Sequence, residues 1–152
     1  MSKNNVYLDT NIIISVFLKE IDHQKYKKNI EIYNDAIKEN QKIKISNIIL
    51  AETYHVLFKK FSKKYCTKKG IKVQNLNVLL KNDDVIGFVN SIAILLFQTM
   101  EENVQFEMDY IDMTESILKY KISANDYLFN DGVDGKILTG DEDLRNFIDS
   151  RI

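Results

Sequence analysis

Proline is missing from the 152-residue sequence, cysteine occurs once, histidine twice and glycine five times. A chain of this length would ordinarily carry roughly seven or eight prolines, so a Pro-rich linker is excluded and a compact, helix-rich body is favoured. A lone Cys66 closes no internal disulfide, and His23 and His55 are too few to complete a zinc site with it. There is no uninterrupted apolar run of the ~18 residues a membrane helix needs, and the opening MSKNNVYLDTN has no apolar leader. The expectation is a cytoplasmic protein with no membrane partner.

What is present is enough for one core. With 45% hydrophobic and 28% charged residues, the composition suits one globular domain spanning 1–152 and is too short for two. The net charge of −1 hides a division: residues 1–82 hold 16 basic groups against 7 acids, and residues 83–152 hold 5 against 15. A near-neutral total therefore does not argue against an anionic partner.

Apolar spacing then sets the elements. NVYL at 5–8 reads as a strand, and Ile12, Ile13, Val16 and Phe17 give a helix over 10–20. Tyr26, Ile30, Tyr33 and Ile37 share a helical face between 23 and 39, and KIKIS at 42–46 alternates as a strand does. A helix over 47–61 follows, with Gly70 in the lysine-rich stretch 62–74 as its break and dense helical content resuming over 75–100. VQFEM at 104–108 reads as a third strand, 109–121 and ISANDYLFND as helices, and GKILT at 135–139 as a fourth strand leading into DEDLRNFI. Alternating strands and helices imply a three-layer α/β/α sandwich with a mainly parallel central sheet.

In such sheets chemistry gathers beyond the carboxyl ends of the strands. Asp9 directly follows the first strand and Asp141 follows the fourth, while Glu52 and Asp126 fall early in helices entered from the same edge. Four carboxylates in one cleft repel one another unless a divalent cation neutralises them. Oxygen donors without His or Cys suit Mg²⁺ or Mn²⁺, and such ions promote phosphodiester hydrolysis.

The stretches VYLDTNIII, NIILAETYHVL, ISANDYL and ILTGDEDLRNF, in that order, resemble the acidic motifs of the PIN-domain ribonucleases, in particular the VapC-type toxins of toxin–antitoxin pairs. The resemblance implies a Mg²⁺- or Mn²⁺-dependent endoribonuclease with an RNA substrate, a small antitoxin protein as partner and a homodimeric assembly. By the same resemblance Asp9, Glu52, Asp126 and Asp141 would be both metal ligands and catalytic groups, with Asn11, Thr139 and Asp143 as supporting polar groups. A nuclease of flapped DNA or of rRNA, a phosphatase on the same acids, and a binding module that does not hydrolyse RNA remain open alternatives.

Each acid also has a plainer reading. Asp9 and Asp141 stand where helix N-caps stand; Ser123 and Asp126 have capping-box spacing; Glu52 suits a solvated helix face, although the apolar IILA before it argues for a partner. Lys59, Lys60, Lys63, Lys64, Lys68, Lys69 and Lys72 fall within 14 residues, with Phe58, Phe61 and Tyr65 interleaved, and form the RNA-binding candidate. Lysine-rich solvated surface and core aromatics are the bland counterpart. His55 is more plainly a surface or packed histidine than a base. NDGVDGKILTGD at 130–141 has two calcium-loop positions right but starts on Asn130 and has Gly132 third, so an EF-hand is not expected.

Overall fold

The computed structural model describes residues 5–18, 24, 26–132 and 139–151. Strand β1 (Asn5–Tyr7) leads into helices α1 (Thr10–Phe17) and α2 (Lys27–Lys38). Strand β2 (Lys42–Ile45) leads into α3 (Asn47–Lys69), α4 (Leu76–Leu79) and α5 (Asp83–Met100). Strand β3 (Val104–Phe106) precedes α6 (Tyr110–Tyr120), α7 (Ala124–Gly132) and α8 (Glu142–Ser150). The fold is an α/β sandwich on a small parallel sheet of order β1-β2-β3, with Val6 opposite Ile43 and Ile43 opposite Val104. The expected strand at 135–139 falls mostly outside the described residues.

Parallel strands need crossovers, and helices supply both of them here. Ile43, Ile45 and Val104 are buried, whereas Asn5, Tyr7, Lys42, Gln105 and Glu107 are exposed. The strands therefore alternate in the sequence because they alternate in environment. α5 packs its Val85, Ile86, Val89, Ala93, Phe97 and Met100 face between α3 and α6. By length and composition it is also the one described helix apolar enough to cross a membrane. Phe97, Phe106 and Tyr110 meet with ring centroids 5.0–5.9 Å apart, tying α5, β3 and α6 together. Phe147 of α8 packs against Tyr120 and Tyr127 and lies under the Arg151 guanidinium at 4.8 Å.

Two boundaries differ from the sequence reading. α3 does not stop near 61: it runs 23 residues to Lys69, because Phe61, Ser62 and Cys66 continue its buried face while the lysines between them stay in water. Gly70 ends it at φ 68°, where its N–H and that of Ile71 reach the carbonyls of Thr67 and Cys66. The stretch 75–100 is two helices, not one, since the Asn82 side chain accepts from Asp84 N and Val85 N and starts α5 afresh.

Candidate active site

Because β1 and β2 run parallel, their carboxyl ends deliver α1 and α3 at one sheet edge. Asp9 is exposed and caps α1, its Oδ1 accepting from Ile12 N at 2.9 Å. Glu52 is exposed one and a half turns into α3, itself capped by Ser46. The residues next to these acids touch: the buried Thr53 and Thr10 hydroxyls lie 3.5 Å apart. α1 and α3 thus meet at the residues that follow the two acids in sequence.

Asp126 is half-buried in the first turn of α7, which packs along α3, and its N–H donates to Ser123 Oγ at 3.1 Å. The Ser123 half of the capping box is therefore present, and among the described residues no hydrogen bond engages the Asp126 carboxylate. Asp141 is exposed and caps α8, with Oδ1 accepting from Leu144 N at 3.2 Å. Thr139 Oγ1 accepts from Asp141 N at 3.0 Å, and its carbonyl accepts from the Arg145 guanidinium. Asp143 is ion-paired with Lys81 in the α4–α5 turn. Asn11 is exposed on α1, its carbonyl accepting from Ser15 Oγ.

In donor chemistry the four acids fit a hard dication. Among the described residues, however, no three His, Cys, Asp or Glu side chains are grouped so as to hold a metal ion. The contacts tie Asp9 to Glu52 through the threonine pair and the Asp126 helix to α3. They tie the Asp141 helix to α6 and the α4–α5 turn instead.

Lys59, Lys60, Lys63, Lys64, Lys68 and Lys69 are all exposed along the outside of α3. Phe58 and Phe61 are 3% and 1% exposed, so they are core side chains and not the base-stacking surfaces considered above; Tyr65 is half-buried against Phe88 at 5.2 Å. Their helical spacing is the spacing of α3's buried face. One acid escaped the sequence reading. Glu107 stands just beyond β3 and accepts from the Tyr7 hydroxyl at 2.8 Å, which raises the Tyr7 pKa. The sequence reading carries the strand to 108, which places Glu107 inside it, whereas the strand ends at Phe106.

Carboxylates beyond the strands of a parallel α/β sheet define the class of protein that works at that edge. The PIN domain family model matches residues 6–112, more than half of the chain, and the chain belongs to the PIN-domain family. PIN domains are generally nucleases, hence hydrolases, and usually use divalent metals. The match contains Asp9, Asn11, Glu52 and the lysines of α3, and ends before Asp126, Thr139, Asp141 and Asp143. It also runs through 62–100, a stretch that the short motifs did not place. No curated protein and no solved structure matches.

Proposed function

We propose that this protein is an endoribonuclease that hydrolyses RNA phosphodiester bonds with Mg²⁺ or Mn²⁺. The observation that carries the reading is the Thr10–Thr53 contact, which joins the backbone beside Asp9 to the backbone beside Glu52 at the carboxyl edge of the sheet. Asp9, Glu52, Asp126 and Asp141 would hold the metal, which supplies a hydroxide near neutral pH and offsets charge on the phosphoryl group. N-capping fixes the orientation of the Asp9 carboxylate without using both of its oxygens. Lys59 and Lys63 stand two and three turns beyond Glu52 on the same exposed stripe of α3, about 10 and 16 Å along its axis. They would hold the RNA backbone as it leaves the acids.

Purified protein is expected to cleave single-stranded RNA with Mn²⁺, to stop with EDTA, and to lose cleavage in Asp9→Asn. Parental cleavage by Asp9→Asn removes the assignment. The absence of a three-acid group among the described residues favours one other reading, a module that binds RNA without cutting it. Calorimetry separates the two: RNA binding with no Mn²⁺ binding selects the second.

The motif resemblance supports a finer setting, that of a cytoplasmic, homodimeric VapC-type toxin restrained by a small antitoxin protein. Expression of the chain alone would then arrest growth, and co-expression of a small neighbouring reading frame would relieve it. Light scattering tests the dimer.

A further inference from the structure

A groove of about 220 Å³ lies between α3, α4 and α7. That is many times the space one water needs. Half-buried Leu76 and Leu80 line its floor over buried Tyr54 and Phe58, whose ring centroids are 6.4 Å apart. The Tyr54 hydroxyl donates to Asn90, whose amide donates to the Thr114 carbonyl, so the floor is anchored to α5 and α6. Around the rim stand the exposed His55, Asn77 and Asn125, with half-buried Ser123. Among the described residues no hydrogen bond occupies the Asn77 or Asn125 amides, and each offers one acceptor and two donors.

The position of the groove gives it meaning. Glu52 lies three residues before His55 and Lys59 four after it, about 4.5 and 6 Å along the helix. Asn125 adjoins Asp126 at the start of α7. We propose that this groove is the subsite for one nucleobase of the RNA, next to the bond that is cut. The base lies over the apolar floor against the exposed His55 ring, and the amides of Asn77 and Asn125 read its hydrogen-bonding edge. One flanking phosphate then faces the acids and the other faces Lys59. An apolar floor with amides at its rim is what a nucleobase requires and what a free phosphate does not use. The inference rests on the nuclease reading and adds to it a source of sequence preference.

The test uses the full chain, with products of a random single-stranded RNA pool sequenced after partial digestion. The parent is expected to favour one base at a fixed place beside the cut. Asn77→Ala and His55→Ala, both at exposed positions, are expected to fold as the parent does by circular dichroism and to flatten that preference about tenfold. Cleavage without base preference, or a preference that survives both substitutions, overturns the subsite while the nuclease reading stands. If the parent cuts no RNA, the nuclease reading falls, and affinity for short homopolymers decides the groove. Base-dependent binding lost in Asn77→Ala supports it, and binding unchanged by the substitution overturns it.

Discussion

Three of the four motif acids stand in capping positions: Asp9 and Asp141 as N-caps, and Asp126 in the first turn behind Ser123. Cap and catalytic group can be separated by substitution. Asn caps as well as Asp, so Asp9→Asn should abolish cleavage and leave the melting temperature within a degree or two of the parent, whereas Asp9→Ala should also cost about 1 kcal/mol of stability in urea titration. Loss of stability in Asp9→Asn equal to that in Asp9→Ala would make the carboxylate structural. A second residue-scale prediction concerns the buried phenols. Burial, reinforced by Glu101, pushes Tyr110 from its ordinary 10 up to about 12, and burial raises Tyr54 further. Below pH 10 both phenols are neutral folded or unfolded. Above it the unfolded chain loses their protons first, so stability falls as pH rises from about 10 toward the folded values. Melting temperatures between pH 9 and 12 should show this decline, and it should be shallower in Tyr54→Phe. That substitution also strands the Asn90 carbonyl, at a cost of about 1–3 kcal/mol at neutral pH.

At the scale of elements, strands and caps were legible because their signals are local. KIKI alternates because Ile43 and Ile45 face the core while Lys42 does not, and Asp109 precedes a helix because its carboxylate accepts from Ile111 N and Asp112 N. The length of α3 was not legible. Its last turns bury Ser62 and Cys66, small side chains that do not register as an apolar stripe, and the intervening lysines look like a break. The groove was hidden for another reason: its floor and rim come from three helices far apart in sequence, so no spacing rule joins His55 to Asn77 or Asn125. α3 supplies its own test. Gly70 takes a left-handed φ with open space around its missing Cβ, so Gly70→Ala should cost only the conformational strain, roughly 1 kcal/mol. An unchanged denaturation midpoint would show that the helix does not depend on this cap.

For the whole molecule, the charge division is now a division of surfaces. The basic half carries the α3 lysines, and the acidic half carries α6 to α8 with Asp126 and Asp141. The two halves meet around the α4–α5 turn, where Lys81 of the first pairs with Asp143 of the second, and Lys121 pairs nearby with Asp83 within the second half. The Lys81–Asp143 pair is largely exposed, so it contributes little stability and fades with salt. It nevertheless occupies an acid that the motif resemblance makes a support of the site. A dication drawn to Asp141 competes with Lys81 for the same neighbourhood. Mn²⁺ should therefore raise the melting temperature of the parent, by the equivalent of about 2.7 kcal/mol at a hundredfold excess over its dissociation constant. Lys81→Gln should tighten Mn²⁺ binding in calorimetry, and Asp141→Asn should weaken it while keeping the α8 cap, since Asn serves that role too. Equal Mn²⁺ affinity in the parent, Lys81→Gln and Asp141→Asn would mean that the ion binds away from α8. The carboxylates of α1, α3 and α7 would then have to hold it without Asp141.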